Sequence, residues 1–267
     1  MNNVDFAVIG GDRRMSLLAG MLGCRHYLYE SDTLPEKIES TAAVLPVPCS
    51  LDGRTLNAAG ATPLWEVISR IRSPFVFGGR IPADVREALT ARGTRVYDLL
   101  EDEALLIKNA QLTAEGALGI IIAETQRSVC GASIAILGFG RIGRALARML
   151  TALGASVTVA ARSAAQLAEA ECMGCRTASI AEPLAVFQGA DAVCNTAPAK
   201  IADADALATL GGDAPFIELA SGGYNADAAR AANVRLINAQ GLPGKTAPES
   251  AAQIIYDRIT DLLLRQI

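Results

Sequence analysis

Aromatic rings are scarce in this chain: they make up 4% of its residues, with one tryptophan, and histidine occurs once, at His26. With few large rings to pack, a core must be filled by Ala, Val, Leu and Ile, and hydrophobic residues reach 51%. That filling suits parallel sheets covered on both faces by helices. Basic runs are also missing. The net charge of −4 and a pI near 5.2 exclude a nucleic-acid surface. Apolar windows are broken by charge or glycine before 18 residues, so no membrane span or membrane partner is expected. The opening M-N-N-V-D-F-A-V-I-G lacks a basic region and cleavage site, which argues against a signal peptide and for a cytoplasmic protein.

Metal chemistry is nearly excluded as well. Cys172 and Cys175 form C-M-G-C, but there is no second such pair and His26 is remote in sequence. A structural zinc needs about four ligands. The six cysteines (Cys24, Cys49, Cys130, Cys172, Cys175, Cys194) therefore read as reduced, buried thiols, and no metal is expected.

Glycine is plentiful, and its placement carries the functional signal. Ser133 to Gly143 reads S-I-A-I-L-G-F-G-R-I-G, an apolar run entering a glycine turn that leads into a helical pattern. In strand–turn–helix context each glycine has a task. Gly138 permits the tight turn, Gly140 lets the backbone approach a pyrophosphate, and Gly143 lets the helix pack on the strand. Phe139, Arg141 and Ile142 complete the loop, whose helix N-terminus offers N–H groups and a positive dipole end to phosphates. The next strand, Val157 to Ala161, ends at Arg162 and Ser163, where NAD sites usually place a carboxylate. A guanidinium and a hydroxyl there favour the 2′-phosphate of NADP over NAD.

The length of 267 residues suits two modest domains. Strands alternating with helices predict an α/β chain with two doubly wound parallel-sheet (Rossmann-like) domains and an interdomain cleft. In the first half, strands are expected at D-F-A-V-I-G, R-H-Y-L-Y-E, A-A-V-L-P-V-P, P-F-V-F-G-G-R and T-R-V-Y-D-L-L, with helices at Met15 to Leu22, Leu64 to Ile71 and Ala83 to Ala91. Residues 1–111 form a substrate domain. Residues 112–245 form the dinucleotide domain, opening on a crossing helix over Leu112 to Arg127. Its later strands cover Ala192 to Asn195, Phe216 to Ala220 and Val234 to Asn238. Residues 246–267 pack back on the first domain through a helix over Pro248 to Leu264.

Ligands bind such sheets outside the carboxyl ends of the strands. The second-domain loops there are Thr196-Ala197-Pro198, Ser221-Gly222-Gly223 and Gly241 to Thr246, in which Pro243 helps fix an irregular backbone beside the nicotinamide. The first-domain loops are Gly10 to Arg14, Pro46-Val47-Pro48 and Gly78-Gly79-Arg80.

Several of these stretches together resemble a known family, the A component of dipicolinate synthase. They are A-V-I-G-G-D at Ala7 to Asp12, V-L-P-V at Val44 to Val47, N-A at Asn109 with T-A-E-G ending at Gly116, L-G-F-G-R-I-G at Leu137 to Gly143, A-R-S at Ala161 to Ser163, N-T-A-P at Asn195 to Pro198, L-A-S-G-G at Leu219 to Gly223, and G-L-P-G-K-T-A-P at Gly241 to Pro248. Cys49 to Gly60 and Phe77 to Arg80 match no motif of that family. The resemblance implies an NADP-linked oxidation of dihydrodipicolinate to dipicolinate. It also implies a flavoprotein-like second subunit as partner, the B component of dipicolinate synthase, and assembly of like chains is expected.

A substrate with two carboxylates needs cations, and Arg13, Arg14, Arg80 and Lys245 are the candidates. Arg14 and Lys245 form the preferred pair, with Ser221 and Thr246 as hydroxyl donors. Glu115 reads as a helix-surface carboxylate. Making an aromatic ring is downhill, so positioning matters more than a strong acid or base. Two other readings stay open: a dehydrogenase of a different small acid, against whose hydroxy-acid form the absence of a second-half histidine counts, and a non-catalytic NADP-binding regulatory subunit.

Overall fold

The computed structural model describes residues 4–29, 33–182, 184–211, 213–222 and 225–265, with backbone alone at 184 and 185. Gly223, which sequence analysis assigns to a ligand loop, lies outside them. The chain divides into two compact units, Met1–Asn109 with Ala247–Ile267, and Ala110–Thr246.

The first unit runs β1 (Phe6–Ile9), α1 (Arg13–Leu22), β2 (Arg25–Tyr27), β3 (Ala42–Val44), α2 (Leu64–Arg70), β4 (Phe75–Gly78), α3 (Ala83–Ala91) and β5 (Arg95–Asp98). The helix α4 (Glu103–Thr125) then carries the chain into the second unit. There follow β6 (Ser133–Leu137), α5 (Arg141–Ala152), β7 (Ser156–Ala161), α6 (Ala164–Cys172), β8 (Arg176–Ser179), α7 (Leu184–Phe187), β9 (Ala192–Asn195), α8 (Ala204–Ala208), β10 (Phe216–Glu218), α9 (Ala226–Ala231), β11 (Leu236–Asn238) and α10 (Leu242–Thr246). Helix α11 (Pro248–Leu264) belongs to the first unit, where Ala252, Ile255, Ile259 and Leu263 share a core with Met15, Leu18 and Ala19 of α1.

Both sheets are parallel. The first has the order β2-β1-β3-β4-β5, and the second β11-β10-β9-β6-β7-β8. Each strand feeds cores on both faces because successive side chains alternate. Ala7 and Ile9 enter one core and Phe6 and Val8 the other. In the second sheet Ile134 and Ile136 face one core while Ala135 and Leu137 face its opposite. Strand order reverses between β1 and β3, and again between β6 and β9. Such reversals open a crevice at the carboxyl ends of the strands.

The structure corrects several expectations. The crossing helix begins at Glu103, nine residues before Leu112, because Asp102 stands before it and accepts a bond from Leu105 N at 3.0 Å. By length and composition this helix is apolar enough to cross a membrane, although charge and glycine break it as expected, at Lys108, Glu115, Gly116 and Gly119. Its most apolar 18-residue window has a mean hydropathy of 1.3, and 44% of that window is buried inside the fold. Gly241 to Thr246 is not irregular loop throughout, since α10 occupies most of it. Finally, Cys130 and Cys172 are exposed rather than buried, although all six thiols are free.

Candidate functional site

Strand β6 ends at Leu137, and Gly138 turns the chain at φ +90°, a backbone state that L side chains rarely adopt. Its amide donates to Ala160 O at 2.8 Å. A Cβ at Gly143 would stand 2.4 Å from the carbonyl oxygen of Gly138, so α5 packs on the turn at a distance only glycine allows. Gly140 is different. It is exposed, its φ is an ordinary −82°, and a Cβ there would meet nothing within 4 Å. The fold does not require this glycine, whereas a ligand lying against the backbone does. The first intrahelical bond runs from Arg144 N to Gly140 O at 2.9 Å, so the amides of α5's first turn precede the ladder. The residues present fit a diphosphate.

Within this loop Phe139 is 1% exposed and packs in the core, so only its backbone remains for a ligand. Gln166 of α6 donates to its carbonyl at 3.1 Å. Arg144 lies 5.4 Å from the Phe139 ring centre and grips Glu169 through two 2.8 Å bonds, fastening α5 to α6. That hydrogen-bonded pairing holds the Glu169 carboxyl below its ordinary value. Arg141 is exposed and Ile142 half-buried at the core's edge.

Across the β6/β9 crevice, Thr196 donates its hydroxyl to Leu137 O at 3.0 Å and to Gly138 O at 3.1 Å. Its proton is thereby committed to holding the turn. Ala197 is half-buried and Pro198 exposed. Behind them lies a cluster that sequence reasoning missed. Asn195, Glu218 and Asn225 are each 0% exposed. Glu218 Oε1 accepts from Asn195 Nδ2 at 2.7 Å and from Ala220 N at 3.2 Å, and its Oε2 accepts from Asn225 Nδ2 at 3.0 Å. Burial pushes the Glu218 carboxyl up, against the opposing pull of Asn225, Asn195 and the Ala220 amide. A carboxylate inside the apolar run F-I-E-L-A was the available signal.

At the end of β7, Arg162 and Ser163 are both exposed. Ser163 caps α6 without a side-chain hydrogen bond, so its hydroxyl is open to a ligand. Ser221 is exposed after β10, and Gln240 donates to the adjoining Ala220 O at 3.2 Å. In α10, Pro243 is buried and Lys245 exposed. The Thr246 hydroxyl donates to Leu242 O at 2.9 Å, which removes it as the free donor that the sequence suggested. Gly116 of α4 makes room for α10, since a Cβ there would come within 2.9 Å of Thr246 Oγ1. Glu115 is exposed and accepts from Gln111 Nε2 at 3.1 Å, as a surface carboxylate does.

The remaining candidates belong to the first unit. Asp12 caps α1, accepting from Arg14 N at 3.0 Å, and also forks the Arg14 guanidinium at 2.8–3.1 Å. Arg14 Nη2 donates further to Val47 O at 2.9 Å, linking the loops after β1 and β3. This leaves Nη1 without a bond among the described residues. Arg13 is exposed, and Arg80 is exposed at φ +51° with its amide on Asp98. His26 bonds the Gly10 carbonyl at 2.8 Å and stacks on Tyr29.

Residues 111–235 match the family model described as D-isomer specific 2-hydroxyacid dehydrogenase, NAD binding domain. The A component of dipicolinate synthase from Bacillus subtilis (strain 168) is 32% identical over 190 residues, 70% of this chain. The crystal structures of that component from Bacillus halodurans and Bacillus subtilis superpose with TM-scores of 0.82, at 25% and 26% identity. They cover 97% and 99% of this chain, and 97% of each of those chains. In sequence and fold this chain is similar to the dipicolinate synthase A component. The sequence alignment spans 64% of the length of the Bacillus subtilis protein. That relationship and the matched domain support a dehydrogenase-type role with a nicotinamide cofactor.

Proposed function

We propose that this chain is an NADP-dependent oxidoreductase that converts dihydrodipicolinate to dipicolinate, as the dehydrogenase subunit of dipicolinate synthase. The observation that carries the reading is the similarity to solved structures of the A component along 97–99% of the chain, substrate unit included. A nicotinamide held there would supply a two-electron hydride acceptor, for an oxidation in which one ring hydrogen is lost as hydride and a second as a proton to leave an aromatic ring.

The chain's residues divide this work. The glycine turn and the first turn of α5 hold the diphosphate, with Thr196 bracing the turn. Arg162 and Ser163, in place of a carboxylate, support the choice of NADP through its 2′-phosphate. Arg14, pre-oriented by Asp12 and Val47 O, takes one substrate carboxylate on its Nη1 edge. In the second unit, Lys245 and Ser221 are the cation and the hydroxyl proposed for binding a substrate carboxylate. The enzyme works with a flavoprotein-like second subunit, the B component, and with copies of itself. Six free thiols fit a reducing, cytoplasmic setting.

The matched domain model also suits a dehydrogenase of another small acid. The lone histidine lies in the first unit, which counts against a hydroxy acid whose oxidation uses an imidazole. A turnover screen separates the two readings. Purified chain, with and without the B component, is offered NADP and dihydrodipicolinate, hydroxy acids or amino acids. NADPH formation with dihydrodipicolinate alone is expected; turnover of another acid, with dihydrodipicolinate inert, would overturn the substrate assignment.

A further inference from the structure

The Asn195–Glu218–Asn225 cluster has no part in the chemistry described above, yet it is the most completely buried polar group among the described residues of the second unit. A buried charge is retained only where its hydrogen bonds are satisfied, and each partner of this carboxylate is an N–H donor. What the donors are attached to gives the cluster its meaning. Asn195 clasps Ala197 at both ends, accepting from its amide at 3.1 Å and donating to its carbonyl at 3.2 Å. Asn225 accepts from Ile201 N at 3.1 Å and donates to Ala199 O at 3.4 Å. Two arms of one carboxylate thus hold both ends of segment 197–201, and the Ala220 amide holds the segment that leads to Ser221.

The chain of contacts continues to the glycine turn. Thr196 sits between the clasped Ala197 and the Leu137 and Gly138 carbonyls. A Cβ on Gly138 would come within 2.9 Å of Thr196 Oγ1 and 3.0 Å of the Ala197 Cβ. The far wall of the crevice is therefore set by where Asn195 and Asn225 place it.

We propose that Glu218 is a positioning residue for the dinucleotide site, acting through Asn195 and Asn225 to pre-set the 196–201 and 219–222 segments against the glycine turn. This rests on the reading of that turn as a nicotinamide dinucleotide site. Glutamine in place of Glu218 keeps the shape but turns an amide donor toward donors. Aspartate keeps the charge and withdraws it by about one methylene.

Two measurements test this on the full chain. In the native protein without nucleotide, hydrogen–deuterium exchange should find the amides of Ala197, Ile201 and Ala220 already protected, with little gain on adding NADPH. Free exchange that becomes protected only with NADPH would overturn the proposal, and this measurement needs no variant. By NADPH titration, Glu218→Gln should raise Kd at least tenfold while the far-ultraviolet circular dichroism is retained, and Glu218→Asp should recover part of the loss. A folded Glu218→Gln with native Kd and only a lowered Tm would show a merely structural role and overturn the proposal alone. Failure of the native chain to bind NADPH or NADH would overturn both this proposal and the dinucleotide reading beneath it.

Discussion

At the scale of single residues, the decisive contrasts lie among side chains of one kind. Gly143 and Gly140 are three residues apart, but only Gly143 is demanded by the fold, because a Cβ there would stand 2.4 Å from a backbone oxygen. Gly143→Ala should destabilise the chain by roughly 1–3 kcal/mol, the usual range for overpacking, as read by urea unfolding. Arg162 gives a selectivity test. Arg162→Ala should weaken NADP binding at least tenfold, about 1.4 kcal/mol, with a much smaller effect on NAD; equal losses would remove the 2′-phosphate assignment. The cysteines divide in the same way. Burial pushes Cys49 and Cys194 up to about 12, whereas Cys130 and Cys172 are exposed. Alkylation at about pH 8, read by mass spectrometry, should label Cys130 and Cys172 in the native chain and Cys49 and Cys194 only after unfolding.

At the scale of elements, the long strands and helices were legible because hydrophobic periodicity dictates them. Helix α3 and helix α11 fall where the pattern puts them, at Ala83–Ala91 and Pro248–Leu264. Strand β8 was not legible. Arg176–Ser179 is a polar edge strand with little buried surface to impose alternation. The true start of α4 was hidden too, since the cap that sets it is reinforced from far along the chain. Asp102 accepts from Leu105 N and, at 2.6 Å, from Arg258 Nε of α11, 156 residues away. Burial raises the Asp102 carboxyl, but the Leu105 amide and the Arg258 guanidinium outweigh it and leave a net lowering. A lowered carboxyl contributes stability that is present above its ordinary value and lost as pH falls through the depressed one. Acid unfolding monitored by circular dichroism should therefore steepen below about pH 4, and Asp102→Asn should flatten that limb. Arg258→Ala should lower stability on the order of 1–3 kcal/mol, the usual effect of leaving a charged group without its hydrogen-bond partner.

At the scale of the whole molecule, the sequence conveyed two parallel α/β sheets and the glycine turn because both are written in short, local spacing. The Glu218 cluster escaped notice because its three members are spread over 31 positions and meet only once β9 and β10 pair. Thr246 looked like a free hydroxyl donor for a related reason: the Leu242 carbonyl that engages it comes within reach only after folding. What the sheets supply is a crevice at the reversal between β6 and β9 and a rigid floor for it. What the chain places there is a helix start with backbone room at one position. The dinucleotide site therefore stands on Gly140, where a side chain is harmless to the fold but not to a bound diphosphate. Titration of Gly140→Val with NADPH, beside its thermal melt, is the most direct test. The variant should melt within a few degrees of the native chain, the shift expected for a change of about 0.5 kcal/mol, and bind NADPH at least a hundredfold more weakly. A variant that binds NADPH as tightly as the native chain would contradict a diphosphate resting on this turn.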